Sequence, residues 1–192
     1  MAESANTERS EAWQASAEAI LDRVKTLLPK DAKGNFLALQ PGATGAEEKS
    51  DVVHDFLAYL AEQMIAMNKR KQAETKRFLQ WLETEIGRPL DDLRLKTKIR
   101  DYHEGDFDSL LAALKANDKL LNRAAHRSGF QADLRREFEA STAVLLPLKA
   151  RIAETDWLID QIVYRLYGLT AEEVAIVEGG AAAPGEGIKT SA

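Results

Sequence analysis

The chain has 192 residues, of which 45% are hydrophobic and 30% are charged, and it contains no cysteine. The lack of cysteine excludes a disulfide scaffold, a thiolate zinc site and a cysteine nucleophile, and it is typical of proteins of a reducing cytoplasm. No apolar run approaches the roughly 18–20 residues of a membrane span, and the N-terminus lacks the basic start and apolar stretch of a signal peptide. We therefore expect one cytoplasmic domain that does not enter a membrane.

The net charge of −5 is unevenly distributed along the chain. Residues 1–55 and 154–192 are acidic, whereas residues 56–153 carry 18 Lys and Arg against 14 Asp and Glu. The overall sign argues against a dedicated nucleic-acid binder, but positive charge is concentrated in the middle of the chain. Contacts with an anionic partner are therefore expected in that middle segment.

Residues 1–49 are predicted to form an N-terminal helix and a loop. Ser10 can cap the helix, and the apolar residues that follow it recur at steps of three and four, which gives a single apolar stripe. Pro29 ends this helix. Glycines and prolines then recur up to residue 49, which is the composition of a loop.

Residues 50–178 are predicted to form a helical hairpin domain. Its first helix begins at Ser50 and ends before Gly87, so it is ~54 Å long and needs a partner of similar length. The second helix starts at Phe130 and ends at Gly168, which fits the left-handed position that terminates helices. Pro147 inside it predicts a kink or a break. The pairing predicts Phe56, Leu60, Met64, Phe78 and Leu82 facing Leu134, Phe138, Leu145, Ile152, Leu158 and Ile162.

Shorter elements complete the predicted fold. Residues 91–127 have the pattern of short helices, the clearest of which starts at Asp106. Thr170 and Glu173 have the spacing of a capping box, in which each side chain accepts the free amide of the other residue. Residues 179–192 are rich in Gly, Ala and Pro and are predicted to be a disordered tail. The predicted fold class is all-α: a long antiparallel coiled-coil hairpin with shorter helices inserted at its tip and a short capped C-terminal helix.

The sequence offers no convincing catalytic constellation. His54, His103 and His126 are dispersed, without a second ligand at helical spacing, and are interpreted as surface or helix-end residues. The patterns Glu47-Glu48-Lys49 and Glu74-Thr75-Lys76 resemble the acids and lysine of restriction nucleases, but they fall in a loop and a helix, not on adjacent strands. The five prolines stand singly, so the paired prolines of a base methyltransferase are missing. We predict no catalytic residue, no metal and no cofactor.

Two basic clusters remain as candidates for a function. The first combines residues 69–71 with residues 76–77, and the second spans residues 94–100, where alternating cations wrap around their element. Such side chains can neutralise phosphates and add salt-dependent affinity. The alternative is a solvated helix surface that keeps the protein soluble. The candidate DNA contacts are Lys69, Arg70, Lys71, Arg94, Lys96, Lys98 and Arg100.

The segment from Leu158 to Val174 resembles the closing motif of type IIG-like restriction–modification DNA methyltransferases. Similarity to the same C-terminal helical region extends over residues 56–65, 69–87 and 96–104, and it covers roughly residues 50–180 in all. The motif consists of helix-ending and capping residues, so it marks a structural joint. Its residues are Tyr164, Leu166, Tyr167, Gly168, Leu169, Thr170 and Glu173.

The resemblance implies a non-catalytic helical module that supports DNA recognition by a methyltransferase. In that family the catalytic domain precedes this region, and here the region stands without it. The partners implied are a DNA methyltransferase or restriction–modification subunit and duplex DNA. The alternative is a self-associating coiled-coil adaptor, a homo-oligomer with no DNA role.

Overall fold

The computed structural model describes residues 11–28 and 49–179, and within them the regular secondary structure is helical, with no strand. The all-α prediction is therefore confirmed. None of the described helices combines the length and the apolarity that a membrane crossing requires. The α-helices are α1 (Glu11–Leu27), α2 (Ser50–Ile86), α3 (Lys96–Arg100), α4 (Phe107–Lys115), α5 (Ser128–Tyr167) and α6 (Ala171–Val177).

The chain divides into two compact units. The first unit contains residues 1–62 and 154–192, and the second contains residues 63–153. The long helices α2 and α5 contribute residues to both units. The predicted cap Ser10, the predicted loop up to residue 48 and the tail from residue 180 lie outside the described residues.

In the first unit, the apolar stripe of α1 packs against residues of α2 and α5. The 3–4 spacing of α1 places its apolar side chains on one face, which the sequence pattern predicts. Trp13 and Trp157 meet edge to face with ring centroids 5.4 Å apart. The buried residues of this core are Leu21, Val24, Leu28, Val53, Leu60, Leu158 and Ile162.

The end of α5 follows the predicted helix-ending and capping pattern. Gly168 adopts a left-handed φ of 67°, which only glycine enters without a steric cost. The Thr170 hydroxyl accepts the Glu173 N–H at 3.2 Å, and the Glu173 carboxylate accepts the Thr170 N–H at 2.8 Å. The capping box is thus confirmed, and it starts α6.

In the second unit, the short segment between α2 and α5 folds onto both helices. Tyr102 stacks on Phe78 with ring centroids 4.0 Å apart, and its hydroxyl lies 2.6 Å from that of the buried Ser141. Asp106 caps α4 by accepting the Ser109 N–H, so the predicted helix start is confirmed. The other fully buried side chains of this core include Leu82, Leu90, Ile99, Leu110, Leu114, Leu134 and Leu145.

The predicted break at Pro147 is wrong, because α5 is a single helix through that position. Proline cannot donate to the carbonyl of Ala143, but both residues are exposed, so water can take the place of the missing donor. Leu145 and Leu148 are buried on the opposite face, and their packing holds the helix together. Tertiary packing therefore outweighs the local cost of the proline.

Neighbouring leucines of α5 give a matched test of this packing. Leu145 is fully buried whereas Leu146 is 57% exposed. We expect Leu145→Ala to lower the free energy of unfolding by about 2–5 kcal/mol, because it removes buried methyl groups and leaves a cavity. Leu146→Ala should stay within about 0.5 kcal/mol of wild type. Equal losses for the two variants in urea titrations would contradict the register of α5.

Candidate functional site

A surface groove of about 500 Å³ in the second unit gathers cationic side chains from both basic clusters. We call it the basic groove. It lies between α2 and the segment that carries α3 and the 3-10 turn Tyr102–Glu104. Lys71, Lys76 and Arg100 supply its positive charge, Glu83 its one carboxylate, and Leu79 and Leu90 its apolar floor.

Glu83, the acidic residue in the described lining of the basic groove, is engaged in a hydrogen bond with the backbone. The Glu83 carboxylate accepts a hydrogen bond from the Leu90 N–H at 2.8 Å. That N–H opens a 3-10 turn and would otherwise lack an acceptor, since the first donors of any helix have no partner within it. Among the described residues that line the groove there are thus three cations and one carboxylate, and one oxygen of that carboxylate is engaged with the backbone.

The apolar periodicity of α2 determines on which face of the helix Lys71 lies. Lys71 lies on the same stripe as Met64, Met67 and Phe78, and its side chain is half-buried. A lysine at a half-buried stripe position buries its methylenes and directs the ammonium outward. Lys76 lies on the adjacent face of α2, and both line the groove.

Helix α3 brings Lys96 and Arg100 to one carboxylate. These two residues are four apart and lie on the same side of a single turn, so both reach Asp91, at 3.2 and 3.0 Å. The hydrogen bond from Lys96, followed by the charge of Arg100, holds the pKa of Asp91 below its usual range. All three side chains are exposed, and exposed ion pairs contribute little to stability. The two cations can therefore transfer to another anion at small cost.

Lys98 lies on the other side of α3, in an acidic environment. It lines a smaller groove of about 190 Å³ together with Asp101, Glu104 and Asp106. The three acids in this lining make it less favourable for a phosphate than the basic groove. The hydrogen bonds from Ser109 lower the pKa of Asp106, and after them the charge of Lys98 helps to lower it. The structure therefore separates Lys98 from the other cations of its cluster.

Arg77 of the first basic cluster is engaged in ion pairs and does not line the basic groove. It binds Glu74 of its own helix at 2.8 Å and Glu137 of α5 at 3.0 Å. The hydrogen bond from Arg77, with a further one from Ser141, holds the pKa of Glu74 below its usual range. Glu74 is thus engaged in packing α2 against α5, which explains the acid–lysine pattern around it without a metal.

Arg94 is fixed through its backbone. Its N–H donates to the buried Asn117 side chain at 2.8 Å, and its carbonyl accepts from the same amide at 3.0 Å. The Arg94 side chain is exposed and does not line the basic groove. Lys69 and Arg70 are likewise exposed on α2 outside the groove lining.

His103 departs from the prediction of a surface histidine. Its side chain is only 9% exposed, beside Glu104 and against the ring of Tyr102. Burial lowers the pKa of its imidazole, with Lys149 and Lys71 acting in the same direction against Glu104. A largely neutral imidazole at pH 7 therefore lines the groove as a polar group, not as a cation. His54 is exposed and His126 ends a 3-10 turn, as predicted.

The basic groove thus contains Lys71 and Arg100 from the predicted contacts, and it adds Lys76 and His103. The sequence signal for Lys71 was its position in the apolar stripe of α2, and the structure shows the residue half-buried there. No sequence signal indicated His103, because its burial depends on Tyr102 and on a turn distant from α2. Among residues 11–28 and 49–179 no group of three or more His, Asp and Glu side chains could hold a metal ion. Glu47 and Glu48 lie outside the described residues.

The fold and the groove define a helical domain with a cationic surface site. Residues 50–163 match a family model described as Domain of unknown function (DUF8810). Since the match covers more than half of the chain, the chain belongs to that family. No curated protein and no solved structure is similar enough to match.

Proposed function

We propose that the chain is a non-catalytic helical accessory module of a DNA restriction–modification system, which contacts the DNA backbone through the basic groove. The observation that carries the proposal is the convergence of Lys71 and Arg100, from two separate basic clusters, on one groove. A groove lined by three cations and one carboxylate suits a polyanion, which Arg100 can bind by exchanging its exposed pair with Asp91. Backbone phosphates are the anions that a module supporting DNA recognition would meet.

Backbone contacts have a definite physical role. Lysine and arginine that neutralise phosphates release condensed counterions, so they add affinity that falls with salt and carries no sequence information. A module of this kind positions a duplex, while another subunit reads the bases and supplies the chemistry. Lys69 and Arg70, exposed on the same helix as Lys71, extend the positive surface of α2.

The restriction–modification context rests on the resemblance of residues 158–174 to the closing motif of type IIG-like enzymes. Gly168, Thr170 and Glu173 build that motif as a joint between two helices. A methyltransferase subunit is the partner that this proposal requires. Cleavage or methylation by the purified chain alone would contradict the non-catalytic role.

We further propose that α2 and α5 form the antiparallel coiled-coil hairpin. Within the first unit, Leu60 of α2 shares a core with Ile162 of α5. Within the second unit, Arg77 of α2 binds Glu137 of α5. Later residues of α2 thus meet earlier residues of α5, which is the order expected for antiparallel helices. In the proposed hairpin, α3 and α4 are the shorter helices inserted at the tip, and α6 is the short capped C-terminal helix.

A self-associating adaptor is the second candidate, and α6 favours it. No residue of α6 is buried, and Ile176 and Val177 are more than half exposed, as is Tyr167 just before it. Clustered apolar side chains on a surface commonly mark a protein contact. Light scattering separates the candidates, because the adaptor is an oligomer whose mass does not depend on Lys71 or Arg100.

The salt dependence of duplex binding tests the basic groove. We expect Lys71→Gln and Arg100→Gln each to weaken binding of a short labelled duplex and to reduce the salt slope by about one unit. Lys98→Gln removes the same charge among three acids and should leave the slope unchanged. Anisotropy titrations over a range of salt concentrations, with and without a methyltransferase partner, give the slopes. Equal slopes for all three variants, or no duplex binding at low salt in either condition, would overturn the groove contact.

Asp91 should act as a competitor of the phosphate. Asp91→Asn releases Lys96 and Arg100, so we expect it to raise duplex affinity a few-fold. Asp92→Asn removes the same charge from the same turn, and within the described residues Asp92 has no ion pair, which makes it the control. A gain that is equal for the two variants would indicate only a change of net charge, and an unchanged affinity for Asp91→Asn would contradict the competition.

Spin labels can test the hairpin, because the chain has no cysteine to interfere. Labels at Asp55 with Asp160, and at Glu85 with Arg136, should give distances of roughly 10–25 Å, since packed helix axes are about 8–10 Å apart. Labels at Asp55 with Arg136 should be on the order of 40 Å apart, from the rise of 1.5 Å per residue. A short distance for the last pair, or a long one for either of the first two, would exclude the antiparallel arrangement.

A further inference from the structure

The first unit contains a cavity of about 690 Å³ that the proposed function does not use. It lies between the end of α1, the last turns of α5 and α6. Its volume is within the range of roughly 300–1,000 Å³ that is usual for small-molecule sites. We call it the α6 cavity.

The walls of the α6 cavity are mainly apolar. Leu28, Leu169 and Val174 line it, and the aromatic residue Tyr164 adds to the wall. The capping box at Thr170 fixes the start of α6 through two hydrogen bonds, each from a backbone N–H to a side-chain oxygen. Apolar walls with a few polar groups are the usual composition of a ligand pocket.

Arg165 is the unusual residue of this cavity. Its side chain is half-buried, and Nη1 donates to the Gln161 carbonyl at 2.9 Å. Among the described residues no carboxylate lies within ion-pair distance of Arg165, and no acceptor is bonded to its Nε or Nη2. Burial lowers the pKa of the guanidinium, and the charge of Asp22 only partly offsets this. Arg165 thus keeps a positive charge beside apolar walls, and its Nε and Nη2 donors are available to an anion that enters the cavity.

Other charges near the cavity do not form an ion pair with Arg165. Asp22 is itself bound to Lys25 at 2.8 Å, on the exposed surface of α1. Lys25 also lines the cavity, so the described part of its lining carries two cations and no acid. The free donors of Arg165 match the two oxygens of a carboxylate, which a guanidinium binds in bidentate fashion.

We propose that the α6 cavity binds a small organic acid, with a carboxylate anchored by Arg165 and an apolar body against Leu28, Leu169 and Val174. The ligand is a carboxylate and not a phosphate, because Lys25 is already paired with Asp22 and the guanidinium of Arg165 alone cannot replace the hydration of a multiply charged group. This site is independent of the basic groove and of its role with DNA.

Calorimetric titration of the full chain with octanoate tests the site. Octanol supplies the apolar body without the charge, and acetate supplies the charge without the body. Octanoate should bind at least tenfold more tightly than either. Arg165→Gln should weaken octanoate binding at least tenfold, and Asp22→Asn should strengthen it. Arg136→Gln is the control, because it removes the same charge from an exposed ion pair elsewhere on α5.

Thermal unfolding of each variant separates loss of the site from loss of the fold. Val174→Glu gives a second test, because it introduces a carboxylate into the wall of a short peripheral helix. It should abolish octanoate binding while the melting temperature stays near that of wild type. Octanol binding as tight as octanoate, equal affinities of Arg165→Gln and Arg136→Gln, or no octanoate binding to the wild-type chain would each overturn the proposal.

Discussion

Burial of Tyr102 is the interaction on which the candidate site depends. Its ring fills the space beside Phe78, and its hydroxyl hydrogen-bonds that of Ser141, a buried polar residue that also hydrogen-bonds Glu74. Tyr102 belongs to the turn that follows α3, so docking this one side chain between α2 and α5 also sets where Arg100 and His103 lie. The basic groove exists because a short segment with little helical stability of its own is held against two long helices by its aromatic residue.

Local pairing, more than the number of cations, decides which of them can meet an outside anion. Arg77 is bound by two glutamates, one of them from another helix, so both ion pairs would have to open before its guanidinium could bind another anion. Lys98 has three carboxylates around its groove. Arg100 shares one exposed aspartate, and an exposed pair is readily exchanged. Cations that are neighbours in the basic clusters of the sequence thus differ in whether they can bind an outside anion.

The parts of the fold that follow local rules could be predicted from the sequence. The bounds of α2, the end of α5 at Gly168 and the capping box at Thr170 depend on neighbours within a few residues, and each was predicted. Pro147 was misjudged, because the packing of Leu145 and Leu148 on the opposite face outweighs the missing hydrogen bond. The environments of Lys98 and His103 could not be predicted for a related reason. The surroundings of a residue in a one-turn helix or a 3-10 turn are set by segments distant in sequence. The periodicity of the local sequence therefore does not predict them.

The two candidate sites differ in how they relate to the family region. Every residue that lines the basic groove lies between residues 50 and 163, so the groove is built entirely from the part of the chain that matches the family. The α6 cavity is lined by one residue of that region, Gln161, while its other walls come from α1 and from residues 164–174. The contacts of Phe78, Tyr102 and Ser141, which position the basic groove, involve neither α1 nor α6. A related helical domain can therefore keep the basic groove with different helices packed on its first unit. The α6 cavity, in contrast, requires both helices, since α1 contributes Leu28 and α6 contributes Val174 to walls that α5 alone cannot enclose.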